Sequence, residues 1–325
     1  MLSRRTLIAA ACVALVAGPL LAGSVLAAEQ DSKVTRFCRF QVGKTIAYGI
    51  VEGNRVRQLA GGLFGDIQKT NKTYALNEVK LLVPTRPTQV FAMAGNYKSH
   101  IGGNTSTTTN TITTVTRVTT NAKTAETTSN TDTTVETRRS GEIPKKFRIP
   151  QPFFKSPSCL LPQGEAIVLP LDAEVVHYEA EMVIVIGKKA KNVSRKDALE
   201  YVFGVTCGND VSARVWQRGD VQWWRAKGAD TFGPCGPFIA AGLDYDNLLM
   251  ELRLNGEVRQ HERTNQLLHD VSGTVSFISR HVTLHPGDLI YTGTPGSTAE
   301  LKPGDVVEVE IEGVGVLRNP VVAGE

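Results

Sequence analysis

Two glutamates, Glu179 and Glu181, stand two residues apart at the head of an apolar run, Met182-Val183-Ile184-Val185-Ile186-Gly187. In an extended chain that spacing puts both carboxylates on one face. Carboxylates side by side repel unless a cation or a proton lies between them. Such ligands suit a hard divalent ion bound through oxygen, Mg²⁺ first, with Mn²⁺ or Ca²⁺ next. The same pair would also fit a solvent-facing strand edge with no metal. A further acid, Asp210, follows a second short apolar run, and Arg214 and Gln217 come four and three residues later. Those intervals match one helical face. Asp210 would then join the metal site while Arg214 and Gln217 meet an anionic, oxygen-rich ligand. The alternative is that Asp210 caps the helix carrying Arg214.

These residues must be positioned by strands. The apolar run after Glu181 is too short for a typical helix and predicts a buried strand. Val306-Val307-Glu308-Val309-Glu310-Ile311 alternates as a half-buried strand does. Leu252 to Val258 carries an Asn-Gly pair between two runs, a hairpin signal, and Val51 to Val56 carries Gly-Asn in the same role. Residues 33–88 therefore predict a small β-rich N-terminal domain, closed by Pro84 and Pro87. Ser194 to Val202 predicts a short helix with Ser194 as N-cap and Asp197 three residues on. The chain from 89 to 325 forms the second unit, interrupted by residues 104–141. Within that stretch 17 of the 33 residues from 105 to 137 are threonine. It lacks the apolar surface to offset its ordering entropy. We expect a flexible insertion, with an ordered hairpin as the alternative because threonine favours strands.

With 41% hydrophobic and 21% charged residues in 325, a sizeable core is expected. A net charge of +4 argues no basic face for nucleic acid. Residues 1–28 pair Arg4-Arg5 with an apolar stretch ending Val25-Leu26-Ala27, the pattern of a twin-arginine signal peptide. Its glycines and proline argue against a lasting membrane anchor, so a periplasmic or extracellular location is expected. Cys38, Cys159, Cys207 and Cys235 show no metal or redox spacing, and buried thiols are expected.

HYEAEMVIVIGKKAKNVS, YVFGVTCGNDVSARVWQ, KGADTFGPCGPFI, LRLNGEVRQ and HPGDLIYTGTPGS, in this order, resemble the fumarylacetoacetate hydrolase family. The likeness runs from about Val34 to Val322 and extends to the acylpyruvate hydrolase and 2-hydroxyhepta-2,4-diene-1,7-dioate isomerase branch. It implies a mixed α/β, mostly β fold with a β-roll catalytic domain, a homodimer, and a small-molecule 2-oxo or β-diketo acid as substrate. It implies metal ligands at Glu179, Glu181 and Asp210, and substrate-binding groups at Arg214, Gln217, Lys227 and Thr294. It gives Lys227 a catalytic role as well and makes His100 a general base toward water. Lys155 is implied near the site. The implied reaction is metal-dependent hydrolysis of a C–C bond in an acylpyruvate through a metal-held enolate. Many relatives carry a glutamate three residues after the histidine, where this chain has Gly103, so Glu126, Glu136 and Glu142 become candidates. That departure keeps isomerase, decarboxylase or lyase chemistry open, and beside it a non-catalytic exported binding protein.

Overall fold

Alternation between buried and exposed residues, broken by glycine turns, builds most of this chain. The structure, a computed structural model, describes residues 34–102, 109–120, 127–138 and 142–324. The signal-peptide reading of residues 1–28 lies outside them.

Strands β1 (Thr35–Val42), β2 (Thr45–Glu52), β3 (Arg55–Ala60) and β4 (Gln68–Ala75) form an antiparallel meander, joined by β5 (Lys80–Leu82) against β1. The turn between β2 and β3 falls on Gly53, whose φ of +61° needs a residue free of Cβ strain. After β6 (Val90–Met93), β7 (Thr109–Thr120) and β8 (Thr127–Arg138) pair over twelve residues each, from Thr109 with Arg138 to Thr120 with Thr127. This corrects the expected unstructured insertion in favour of the hairpin, the β propensity of threonine outweighing its poor apolar content.

The remaining strands follow: β9 (Pro152–Lys155), β10 (Leu160–Leu161), β11 (Ile167–Leu169), β12 (Val176–His177), β13 (Ala180–Ile186), β14 (Val202–Asn209), β15 (Ser212–Ala213), β16 (Gly233–Ala241), β17 (Leu249–Leu254), β18 (Glu257–Arg263), β19 (Leu289–Tyr291), β20 (Val306–Ile311) and β21 (Gly315–Ala323). The main sheet runs β4-β3-β2-β1-β16-β14-β13-β19-β6-β9, with β5 and β10 attached to it. The N-terminal strands therefore share one sheet with the strands that carry the acids, through Thr35 to Phe37 of β1 on Ala241 to Ile239 of β16. A second sheet, β11-β21-β20-β17-β18, packs on one face.

Strand β13 explains why its sequence is apolar without alternation. Met182, Ile184 and Ile186 pack with Met250, Leu252, Val307 and Val309 of the second sheet. Val183 and Val185 face the other way, onto Phe37, Ile239 and Leu289. All seven residues are buried. Each aliphatic side chain so placed contributes roughly 1.5–3 kcal/mol, which anchors the acids at the strand's head. Asn255 and Gly256 both have positive φ, 55° and 83°, closing the β17–β18 hairpin as expected.

Three readings are sharpened. The segment after Ser194 is a 3-10 helix, Arg195–Tyr201, and the Ser194 hydroxyl donates to Asp197 at 2.6 Å rather than capping a backbone N–H. Asp210 neither shares a helical face with Arg214 nor caps its helix, because β15 intervenes and the helix begins at Arg214 with Ala213 at its N-cap. The four described cysteines are buried and unpaired. Burial pushes the Cys38 thiol up to about 12, away from reactivity.

Candidate metal centre

Glu179 is fixed just before β13 and Glu181 within it, while Asp210 follows the end of β14. The antiparallel register pairs Ala180 with Asn209 and Glu181 with Gly208, so the two strand ends deliver all three acids together. The Asn209 side chain accepts from the Glu179 N–H at 2.9 Å, and the Asp210 N–H donates to the Glu179 carbonyl at 2.8 Å. One oxygen from each of Glu179, Glu181 and Asp210 lies within 4.8 Å of the others, and all three residues are buried.

Three cationic side chains answer them. Lys227 Nζ donates to Glu179 Oε2 at 2.5 Å and Asp210 Oδ2 at 2.8 Å. Lys155 Nζ reaches Asp210 Oδ1 at 2.6 Å and also bonds the carbonyls of Lys227 and Phe232. Arg214 Nη2 donates to Glu179 Oε1 at 2.6 Å. Burial raises the Glu179 carboxyl, but Lys227 and Arg214 outweigh it and hold it at about 2. Burial lowers the Lys227 ammonium, yet Asp210 and Glu179 leave it raised overall.

Glu181 is treated differently. Its described polar partner is the Gly293 N–H, which donates to Oε2 at 2.6 Å. Burial, then the neighbouring charges of Asp210 and Glu179, push its carboxyl well above the usual range. A buried carboxylate raised by two like neighbours is the condition a divalent ion relieves. The donor set, three hard oxygens, fits Mg²⁺, Mn²⁺ or Ca²⁺. Three carboxylates already face three cations, so a divalent ion would leave two positive charges. An anionic ligand would balance them.

These groups stand at one side of a cavity of about 1040 Å³, lined by Glu179, Glu181, Lys227, Gln217, Thr294 and His100. Asp210 and Arg214 stand behind that wall. Arg214 does not extend into the cavity; Nη1 donates to Gln217 Oε1 at 2.8 Å and Nη2 also to Thr298 Oγ1 at 2.8 Å. Because a guanidinium can only donate, Gln217 must offer its oxygen to Arg214 and keep its NH₂ for the cavity. His177, on the far side of Thr298, has its pKa lowered by burial and then by Arg214.

His100 lies on the cavity wall, with Nδ1 2.7 Å from the Gly296 carbonyl. A carbonyl only accepts, so a neutral His100 carries its proton on Nδ1 and keeps Nε2 as a base. The Gly296 carbonyl thus fixes the orientation of the ring. The described loop that contains Glu142 also borders the cavity, and Glu142 pairs with Arg148 at 2.7 Å. Gly103 and the side chains of Glu126 and Glu136 fall outside the described residues. Phe147, also on the cavity wall, seats its ring on Gly95, and its carbonyl lies 3.0 Å from His269 Nε2. Trp223 and Phe153 line the wall, while Trp224 is exposed.

The structure gathers Glu179, Glu181, Lys227, Gln217, Thr294 and His100, all named from the sequence, around one cavity, with Asp210, Arg214 and Lys155 bonded to that group. Gln260 and Gly296 were not marked in the sequence; a glutamine buried in an otherwise polar strand leaves no signal in spacing.

The family model described as Fumarylacetoacetate (FAA) hydrolase C-terminal matches residues 114–322, and one described as Rv2993c-like, N-terminal, matches residues 35–84. Protein Rv2993c of Mycobacterium tuberculosis is 37% identical over 269 residues, covering 82% of this chain and 87% of that protein. The solved structure of 5-carboxymethyl-2-hydroxymuconate delta-isomerase from Mycobacterium smegmatis is 34% identical with a TM-score of 0.73, covering 89% of this chain and all of that one. Maleylpyruvate hydrolase from Sphingobium, in complex with manganese(II) and pyruvate, is 26% identical with a TM-score of 0.64 at 89% and 100% coverage.

Proposed function

Because this chain belongs to the fumarylacetoacetate hydrolase family, we propose that it is a metal-dependent enzyme acting on a 2-oxo acid through its enolate. The observation that carries this reading is the buried acid triad, two carboxylates backed by cations and Glu181 left to an ion. A divalent ion held by Glu179, Glu181 and Asp210 would supply Lewis-acid charge where enolate charge develops. The chain's own groups do the rest. The NH₂ of Gln217 and the hydroxyl of Thr294 donate to the substrate's carboxylate and fix its orientation. Lys227 keeps the wall cationic, and His100 Nε2 takes or returns a proton.

Proton movement alone converts one enol or keto form to another, so isomerisation is the first reading. It is supported by the likeness to the delta-isomerase and by a base oriented through a carbonyl rather than a carboxylate. Hydrolytic C–C cleavage of an acylpyruvate is the second, supported by a cavity with room for water and a long acyl chain and by the likeness to maleylpyruvate hydrolase. In that case His100 activates the water. A homodimer and export on Arg4-Arg5 belong to the same proposal.

The test uses purified protein with Mg²⁺ or Mn²⁺, a conjugated 2-hydroxydienoate and an acylpyruvate. Loss of the dienol absorbance without pyruvate release supports isomerisation, and pyruvate release supports hydrolysis. Metal binding without turnover of either would refute both.

A further inference from the structure

Strand β18 is exposed nearly throughout; even Val258 is 54% exposed, whereas Gln260 is 4% exposed. An apolar residue left in solvent while an amide is buried reverses the usual preference and asks for a cause. The β17–β18 register supplies the means. It pairs Leu252 with Gln260 but Arg253 with Val258, so Arg259 is the extra residue of a bulge. Bulges re-aim side chains beside active sites, and this one turns Gln260 inward.

All of the buried amide is used. Gln260 Oε1 accepts from the Ala180 N–H at 3.0 Å, the peptide between the two glutamates. Gln260 Nε2 donates to the Pro295 carbonyl at 2.6 Å and to Thr294 Oγ1 at 2.9 Å. Two of these partners are backbone groups of fixed polarity. Ala180 N–H can only donate and Pro295 C=O can only accept, so the amide cannot be flipped. Thr294 Oγ1 must then accept from Gln260, which leaves its hydrogen to be given elsewhere. Thr294 lines the cavity, and among the described residues no protein acceptor takes that hydrogen.

We infer that Gln260 is a positioning residue that fixes the Thr294 hydroxyl as a donor into the cavity, toward the carboxylate of a 2-oxo acid. The role rests on the 2-oxo acid reading given above. It assigns a function to the LRLNGEVRQ segment, none of whose residues itself lines the cavity. Glutamate at this position could still accept from Ala180, but its second oxygen would accept the Thr294 hydrogen and withdraw it from the substrate.

The experiment measures oxalate binding by calorimetry in the Mn²⁺-loaded protein, alongside Mn²⁺ affinity itself. Gln260→Glu and Thr294→Val should each weaken oxalate by about tenfold, the worth of one hydrogen bond to a charged ligand. The double variant should bind no worse than Thr294→Val, and Mn²⁺ affinity should be unchanged in all three. Oxalate binding by Gln260→Glu should recover only in part toward low pH, because the protonated carboxyl has one hydrogen to share between Thr294 Oγ1 and the Pro295 carbonyl. Thr294→Val should show no such recovery. Gln260→Met, which keeps bulk without a donor, replaces the charged variant if that one does not fold. Wild-type oxalate affinity in Gln260→Glu, or losses that multiply in the double variant, overturns the role. A fall in Mn²⁺ affinity that tracks the oxalate loss also overturns it, because Gln260 would then act through Ala180. Failure of the wild-type protein to bind oxalate overturns the 2-oxo acid reading, and this role with it.

Discussion

The ammonium of Lys155 lies 2.6 Å from the carboxylate of Asp210, and the two side chains are only 0% and 1% exposed. A buried pair is stable only while both members remain, since a lone charge keeps its desolvation penalty without its partner. Lys155 also bonds the Lys227 and Phe232 carbonyls, tying the edge strand β9 to the acid cluster. Lys155→Met should lower unfolding free energy, but by less than the roughly 3–5 kcal/mol of a fully orphaned charge, because Lys227 still pairs with Asp210. Urea denaturation of the metal-free protein checks this, and a change below about 1 kcal/mol would show that the pair carries little.

Glu181 and Glu179 set opposite pH dependences. The folded Glu181 carboxyl is raised above its unfolded value of 4.5, so its ionisation costs stability as pH rises from there through the folded pKa. Glu179, held at about 2, stabilises above 4.5 and loses that contribution as pH falls through about 2. From pH 4.5 up to the folded Glu181 pKa, that carboxyl therefore dominates this pair. The metal-free protein should gain stability as pH is lowered across this window, by up to about 1.4 kcal/mol per pH unit. Mn²⁺ at pH 8 should restore stability, and Glu181→Gln should flatten the slope and lose the Mn²⁺ response. Calorimetric melting curves distinguish these, and an unchanged slope in Glu181→Gln would assign the effect elsewhere.

His100 should exist as the Nδ1–H tautomer when neutral, because the Gly296 carbonyl accepts from that nitrogen. Nitrogen-15 spectra of histidine-labelled protein report the tautomer directly. His100→Gln should slow turnover by about 10²–10⁴-fold while leaving Mn²⁺ affinity intact. An Nε2–H signal for His100 would remove it as a base toward the cavity.

Gly95 has φ +60°, and a Cβ there would fall 2.4 Å from the Phe147 ring. Gly95→Ala should displace Phe147 from the cavity wall and cost about 1–3 kcal/mol. Adding Phe147→Ala should recover part of that loss in thermal melts. No recovery would place the cost in the backbone conformation rather than the contact.

Much of this site was legible because strand chemistry is local. Glu179 and Glu181 announced themselves by a spacing of two, and the run behind them by being apolar on both faces. The hairpin at Asn255-Gly256 followed from its turn residues. Asp210 was found for a partly wrong reason: helical spacing suggested it, whereas the β13–β14 register delivers it. The threonine-rich stretch was misread because composition weighs burial, while a two-stranded ribbon needs only its own ladder. Gln260 and the Gly296 carbonyl were invisible, since the first depends on a bulge and the second is a main-chain group with no identity in sequence.

The pairing of β1 with β16 ties the first strand to the acid cluster. Thr35, the first residue of β1, matches Ala241. Residues Thr35 to Phe37 of β1 supply those pairs. A cut within them would strip backbone partners from β16, whose other neighbour, β14, ends beside Asp210. Damage to the first strand would therefore reach the acid cluster through two sheet neighbours, β16 and then β14, without touching any acid directly.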